Sequence, residues 1–371
     1  MKVPLGQPGM AVTHTVADSD LAAPGSWTAR IFNATTTAVD FTTRITYVEQ
    51  DHDRSRQEQP EAVMSYHHAE HIPVYDLLAR HFPICDNWFA SLPTDTWPNR
   101  LYAMTGGSGG LINTSSDSSV SSAPPGYTLR TIFEVLQDAQ VDWGYYFSDL
   151  PFALVFKRLA QDAAYTSRMR GLDGFYALAE TGELPSVSWL EPNFTDVPDG
   201  PGKANDDHPP GDIARGQALV GQIYAHLTAS PSWPKTLMII TYDEHGGFYD
   251  HVLPPPDPED DLTDLRKYGV RVPAFLVTPY VPPGSVSTQV YDHTSLLSTI
   301  LHRFCRAPDG SVPDMGRRTR AAAHVGSALT RQPTSFHAPA PPAPTAGALV
   351  PEPATDRMSF GTALHTALFG F

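Results

Sequence analysis

The sequence predicts an α/β fold in which helices cover both faces of a sheet. Stretches with helical periodicity alternate with short apolar runs over much of the chain, and this alternation is typical of a helix-covered sheet. The run at 236–242 is continuous, apolar and β-branched, as in strands buried on both faces of a parallel sheet. The chain has 371 residues, of which 41% are hydrophobic and 18% are charged, so it can bury a substantial core.

The elements follow one another from the N-terminus. Apolar and polar residues alternate over 26–48 on either side of a turn-like stretch, which predicts a β-hairpin. Residues 72–82 have helical periodicity and place Pro73 in the first turn, where proline is favoured. The remaining patterns predict helices over 129–140, over 211–230 and from the segment 291–297 onwards, and strands over 141–147, 185–190, 236–242 and 271–280.

Composition and pattern divide the chain into three regions. The hairpin segment occupies 1–50, an α/β domain occupies 51–332, and a Pro- and Ala-rich tail with a short predicted helix occupies 333–371. Acidic residues number 40 against 25 basic ones, which disfavours nucleic acid as a partner. No run approaches the ~18 apolar residues of a membrane span, and the first ten residues lack the apolar core of a signal peptide.

Two adjacent carboxylates follow the predicted strand at 236–242. In open α/β sheets ligands bind beyond the carboxyl ends of strands, which is where Asp243 and Glu244 stand. The pair Gly246–Gly247 permits the sharp bend that would turn both carboxylates toward one cation. This arrangement indicates half of a site for a hard metal ion; the alternative is a solvated acidic turn.

Three further clusters carry residues suited to catalysis. His208, followed by two prolines, is a candidate acid or hydrogen-bond donor. The segment 91–100 shows neither helical nor strand periodicity and carries Thr96, a candidate nucleophile, and Arg100, a candidate phosphate clamp. His293, at the start of the last predicted helix, either lines a site or pairs with a carboxylate. Each cluster alone is also compatible with an ordinary turn or a solvated loop.

Together these segments resemble one family, the bacterial phosphoesterases that include phosphatidylcholine-hydrolysing phospholipases C and related acid phosphatases. The resemblance implies an alkaline-phosphatase-like fold, a three-layer sandwich with a mixed central sheet between helical layers, and makes 51–332 the catalytic domain. It rests on six motifs that occur in the family's order: 72–106, 187–196, 205–224, 241–256, 268–281 and 291–297.

The resemblance also implies roles for individual residues. Thr96 matches the family nucleophile in the motif T-x-P-N-R, Asp243 and Glu244 match its metal-binding carboxylates, and His208 matches a histidine that contacts the substrate phosphate. The implied cofactor is one divalent cation, for which carboxylates and a hydroxyl suit Ca, Mg, Mn or Fe. Arg100 would stabilise the charge that grows on phosphate in the transition state.

One family motif is absent. The family begins with a strand and an E-N-R-S-F-D motif whose Glu and Asn complete the metal site, and this sequence does not contain it. Glu49, beside Gln50, follows the strand ending at Tyr47 and is the candidate substitute ligand, and His52 is a candidate phosphate-side histidine. The hairpin region resembles a fragment of an accessory β-domain of secreted hydrolases.

The expected function is metal-dependent hydrolysis of a small-molecule or phospholipid phosphate ester by a Thr nucleophile. Transient contact with a lipid surface is compatible with this function. Two alternatives remain at this point. One is a carboxyl-ester hydrolase that uses the same pocket, since acyl transfer needs only an oxyanion hole and a base; the other is a non-catalytic binding protein of the same fold. The family resemblance implies a secreted or periplasmic location in a bacterium.

Overall fold

The computed structural model describes residues 27–31, 41–45, 63, 66–113, 126–194, 204–209, 211–256, 258–282, 284–330, 332–333 and 338–343. The chain divides into two units, Met1–Gln59 and Pro60–Phe371. In the first unit, strands β1 (Trp27–Ile31) and β2 (Phe41–Ile45) pair antiparallel, with Trp27 opposite Ile45. This pairing confirms the two strands predicted over 26–48.

The second unit alternates helices with strands, as the periodicity predicts. Its strands in the described part are β3 (Ile84–Cys85), β4 (Trp143–Phe147), β5 (Met169–Gly171), β6 (Val187–Glu191), β7 (Met238–Thr241), β8 (Ala274–Val277) and β9 (Val286–Ser287). Its α-helices there are α1 (Pro73–His81), α2 (Thr96–Thr105), α3 (Ile132–Asp138), α4 (Lys157–Gln161), α5 (Ala163–Thr166), α6 (Leu172–Thr181), α7 (Ile213–Ala229), α8 (Thr294–Phe304) and α9 (Gly316–Ala321). No helix in the described part is long and apolar enough to cross a membrane.

The strands of the second unit form two sheets in the part of the chain that the structure describes. Strands β5, β4 and β6 make a parallel sheet with β4 in the middle. The other sheet has the order β7-β8-β3-β9 and is mixed, because β8 runs antiparallel to both β7 and β3 whereas β3 and β9 are parallel. The predicted α/β class with a mixed sheet is therefore confirmed.

The expectation that 236–242 is a strand buried on both faces of a parallel sheet is wrong. Strand β7 pairs antiparallel with β8, Met238 lying opposite Val277, and the residues of β7 are only half-buried while those of β8 are buried. The reason is position: β7 is at the edge of its sheet among the described residues. An apolar run has the same appearance in sequence whether its partner is parallel or antiparallel.

Local capping decides where two predicted helices begin. Helix α3 starts at Ile132, three residues later than the periodicity indicates, because Thr131 and Glu134 form a capping box. Helix α7 begins one residue after Asp212, whose side chain accepts a hydrogen bond from the Ala214 N–H at 3.0 Å.

Helix α2 is the second correction, because no regular element was predicted over 91–100. Its first turn contains Pro98, which a helix tolerates at that position since the first N–H groups have no intrahelical partner. Trp97, Leu101 and Met104 pack into the largest hydrophobic cluster, which α3, β4 and α8 complete. Burial of this apolar face stabilises a helix that the local pattern does not reveal.

Candidate active site

Five of the predicted site residues line one cavity. The cavity is bordered by β6 and β7 and has a volume of about 1080 Å³. This volume is slightly above the usual range for ligand pockets, roughly 300–1,000 Å³. Its wall includes Thr96, Arg100, His208, Asp243 and Glu244. These residues come from three separate stretches of the chain, so the tertiary fold brings them to a common space.

Thr96 is the first residue of α2, and only 9% of its surface is exposed. The loop that leads to it is held by Asn99, whose side-chain oxygen accepts from the Leu92 N–H at 2.8 Å and whose amide donates to the carbonyls of Thr94 and Asp95, each at 3.0 Å. The N-terminal end of a helix favours negative charge. The position therefore suits a hydroxyl that has to lose its proton.

Arg100 lies between two carboxylates. Its Nη2 donates to Glu191 Oε1, and its Nη1 is 3.7 Å from Asp243 Oδ2. Glu191 is the last residue of β6, its side chain is 1% exposed, and its Oε2 accepts from the Phe152 N–H at 2.9 Å. The guanidinium carbon of Arg100 is 4.7 Å from the centroid of the Phe194 ring, a cation–π distance.

Glu191 was missed by the sequence reasoning. A signal was present, because Glu191 is an acid at the end of a predicted strand within the matched segment 187–196. Its partner Arg100 is 91 positions away in sequence, so the pair becomes visible only when β6 and α2 are in place.

Asp243 and Glu244 directly follow β7. The chain then turns through Gly246 and Gly247, whose φ angles of 63° and 77° are in the left-handed region that glycine tolerates. The Gly246 N–H donates to Glu244 Oε2 at 2.6 Å. The predicted bend is thus present, and it leaves both acidic residues on the cavity wall.

His293 does not line the cavity but contacts the backbone of Asp243, which does. It is 1% exposed, its Nε2 is 2.7 Å from the backbone carbonyl of Asp243, and the Trp88 indole N–H lies 3.5 Å from its Nδ1. Burial lowers the pKa of His293, so the imidazole is neutral near pH 7. A neutral ring that donates from Nε2 and accepts at Nδ1 matches both contacts and fixes the backbone of Asp243.

His208 is positioned by a short loop over 204–209. Its backbone N–H donates to Asp206 Oδ1 at 3.2 Å, and its Nδ1 is 2.7 Å from the carbonyl of Pro209. The loop is tied to the chain beyond β6, because the N–H of Asn193 donates to Asn205 Oδ1 at 2.6 Å and the N–H of Asn205 donates back to the Asn193 carbonyl at 3.0 Å.

The donor set on the cavity wall has the chemistry of a hard-cation site. Asp243 and Glu244 supply carboxylate oxygens and Thr96 a hydroxyl oxygen, which are the ligand types that Ca, Mg and Mn prefer. In the described part of the chain, no three His, Cys, Asp or Glu side chains converge as a metal site. Glu49, Gln50 and His52, predicted as further site residues, lie outside the described residues.

Comparison with known proteins gives a family match over most of the chain. A family model described as the phosphoesterase family matches residues 22–305. Non-specific phospholipase C6 of Arabidopsis thaliana is 38% identical over 263 residues, which are 66% of this chain and 49% of that protein. Phospholipase C A of Mycobacterium tuberculosis is 30% identical over 283 residues, covering 65% of this chain and 52% of that protein. The chain thus spans about half the length of these relatives.

Similar solved structures have lower identity. One is a protein of the alkaline phosphatase superfamily from Vibrio parahaemolyticus, with a TM-score of 0.38 and 11% identity, covering 62% of this chain and 60% of that one. Another is a phosphonate monoester hydrolase from Silicibacter pomeroyi, with a TM-score of 0.38 and 12% identity, covering 72% and 74% of the two chains.

Proposed function

The chain belongs to the phosphoesterase family, and on that premise we propose that it hydrolyses phosphate esters of small molecules or phospholipids. The observation that carries the proposal is the shared cavity, whose wall holds Thr96, Arg100, His208, Asp243 and Glu244. A hydroxyl, a cation, an imidazole and two carboxylates around one space are the groups that phosphoryl transfer uses. The relatives named phospholipase C support a phospholipid as one substrate class.

The proposed reaction uses Thr96 as the nucleophile. Thr96 loses its hydroxyl proton to water, its oxygen attacks phosphorus, and the bond to the leaving alcohol breaks. The phosphothreonine intermediate that results is then hydrolysed by water, which restores the hydroxyl. The N-terminus of α2 stabilises the negative charge on the Thr96 oxygen. His208, on the same cavity wall, protonates the leaving alcohol oxygen.

Charge on the phosphate oxygens is stabilised from two sides. Arg100 has one amino group on Glu191 and the other facing Asp243 at 3.7 Å, and this second group is the one placed to hold a phosphate oxygen. Asp243 and Glu244 would hold a divalent cation with the Thr96 hydroxyl. When bound, such a cation would supply positive charge that favours loss of the Thr96 proton and offsets the charge of the phosphate.

The test of the nucleophile is Thr96→Ala, assayed with bis-p-nitrophenyl phosphate and with phosphatidylcholine vesicles. We expect kcat to fall at least about 10³-fold while the affinity for vanadate, a phosphate analogue, stays near that of the wild type. Thr96→Ser keeps a hydroxyl and should retain part of the activity. Thr181→Ala, on the exposed end of α6, is the matched control. Full activity of Thr96→Ala would refute the assignment.

Metal removal separates this proposal from its rivals. Chelation by EDTA should abolish phosphodiesterase activity, and one of Ca, Mg, Mn or Fe should restore it. A carboxyl-ester hydrolase would keep its activity on p-nitrophenyl acyl esters after chelation, because acyl transfer requires no cation. A non-catalytic binding protein would turn over neither substrate but retain phosphate or glycan. We also propose the secreted or periplasmic location that the family resemblance implies.

A further inference from the structure

Asp207 stands next to His208 and has a positive φ angle. Its φ is 62°, in the left-handed region that non-glycine residues other than Asn and Asp rarely adopt. One further non-glycine residue, Gln140, has a positive φ in the described part of the chain. A positive φ at a non-glycine residue is uncommon, so the contacts around Asp207 need to be described.

The contacts that hold Asp207 come from two distant elements. The hydroxyls of Tyr75, in α1, and Tyr242, directly after β7, both donate to Asp207 Oδ2, the second at 2.8 Å. A tyrosine hydroxyl is protonated at neutral pH, so both side chains act as donors to the carboxylate. The carboxylate therefore ties the loop of His208 both to α1 and to the residue before Asp243.

A third element, α7, leaves room for the carboxylate. A Cβ atom added at Gly216, in the first turn of α7, would overlap the carboxylate of Asp207. At Gly221 in the same helix, the nearest side-chain atoms to an added Cβ are 3.7 Å away, an ordinary contact. Glycine destabilises a helix interior relative to alanine. At position 216 this loss of stability is explained by the space that the Asp207 carboxylate occupies.

The carboxylate of Asp207 is largely shielded from water. Burial raises the pKa of Asp207 to about 6, with Asp212 acting in the same direction and the hydrogen bonds from Tyr75 and Tyr242 opposing it. Oδ1 of Asp207 has no hydrogen-bond partner among the described residues. Burying a carboxylate with one oxygen that accepts no hydrogen bond lowers the stability of the fold. A contribution to packing therefore does not explain why an aspartate occupies this position.

We propose that Asp207 is a positioning residue that fixes the loop 204–209, and with it His208, against the cavity, with Tyr75 and Tyr242 as its anchors. The proposal rests on the proposed function, because His208 is the group that is positioned. Its consequence is specific: the side chain of Asp207 affects turnover through His208 and not through substrate affinity.

The test compares two substitutions that both tolerate a positive φ. Asp207→Asn keeps a side-chain oxygen for the two tyrosine hydroxyls, and we expect kcat within about 3-fold of the wild type. Asp207→Gly keeps the backbone freedom but removes the anchor. We expect it to lower kcat about 10²-fold, the effect of misplacing a catalytic group by about 1 Å, with KM nearly unchanged.

Epistasis distinguishes positioning from general destabilisation. In a His208→Ala background, Asp207→Gly should lower kcat by less than about 2-fold, because residues that act through one another are non-additive. A full additional loss in that background would overturn the proposal, as would an inactive Asp207→Asn that is folded. Gly216→Ala should reproduce the loss of kcat, and Gly221→Ala should not. If Asp207→Gly does not fold, the comparison of Gly216→Ala with Gly221→Ala tests the proposal in its place.

A spectroscopic readout separates failure of this proposal from failure of the proposed function. The imidazole signal of His208, identified by its loss in His208→Ala, should stay near its wild-type chemical shift in Asp207→Asn and move away from it in Asp207→Gly. An unchanged signal in Asp207→Gly overturns the proposal whatever the enzyme hydrolyses. A changed signal in a protein that hydrolyses no phosphate ester supports the positioning of His208 and refutes the proposed function.

Discussion

Replacement of Glu191 tests how the cavity keeps Arg100 in place. The side chains of Glu191 and Arg100 are 1% and 12% exposed, so their ion pair is largely shielded from water. In Glu191→Gln the amide oxygen can accept from either Arg100 or the Phe152 N–H, and the amide NH2 then faces a donor. Arg100 keeps the carboxylate of Asp243, at 3.7 Å, as its remaining charged partner.

The expected loss follows from the burial of the pair. Removing one partner of a buried ion pair costs about 3–5 kcal/mol, because the other charge stays desolvated. We expect about 3 kcal/mol for Glu191→Gln, at the lower end of that range, since Asp243 still compensates part of the charge. Asp142→Asn breaks the more exposed pair of Asp142 and Arg168, whose side chains are 67% and 31% exposed, and should cost less than about 1 kcal/mol.

The assay is equilibrium urea unfolding followed by far-UV circular dichroism. Glu191→Gln should lower the midpoint clearly and Asp142→Asn should not. The double variant Arg100→Met with Glu191→Gln removes the stranded charge, so it should be more stable than Glu191→Gln alone. A loss under about 1 kcal/mol for Glu191→Gln, or a double variant less stable than the single one, would refute the view that this pair is desolvated.

Two further predictions follow from pKa shifts. Folding raises the pKa of Asp207 from 3.8 to about 6, so protonation of this carboxyl stabilises the native state at low pH, and the stabilisation is lost as the pH rises through 6. Relative to Asp207→Asn, the free energy of unfolding of the wild type should fall by about 2 kcal/mol between about pH 4.5 and 7.5. Equal pH profiles for the two proteins would contradict this. Burial raises the pKa of Cys85 to about 12 and also raises that of Cys305, and Cys85 is buried whereas Cys305 is only half-buried. Native protein at pH 8 should therefore be alkylated by iodoacetamide at Cys305 well before Cys85, and the reverse order in peptide mapping would contradict it.

Local patterns were sufficient for the elements whose signals are local. Helices α1 and α7 were expected over 72–82 and 211–230 and lie at Pro73–His81 and Ile213–Ala229. The strands predicted at 141–147 and 185–190 contain β4 and β6. Side-chain periodicity, an N-terminal proline and runs of apolar residues are properties of neighbouring residues, so they are readable before the chain folds.

The wrong expectations concern non-local contacts. Helix α2 is stabilised because Trp97 and Leu101 pack into a core built mainly by other segments. The residue pattern within 91–100 does not indicate that this core exists. Strand β7 was assigned a parallel, fully buried environment, whereas its partner β8 is antiparallel. Neither the direction of a partner strand nor an edge position is encoded in the strand's own residues.

The sequence by itself identified the family motifs and, within them, the five residues that line the cavity, because residue types and their spacing are local information. Only the tertiary structure decided that Arg100 pairs with Glu191, that His293 supports the backbone of Asp243, and that two tyrosines meet on Asp207. These partners are between 35 and 132 positions apart in sequence. Such contacts form only when separate elements pack together, because bringing distant residues into contact costs chain entropy that the packing of the whole fold has to offset. No local pattern of residues reports that outcome.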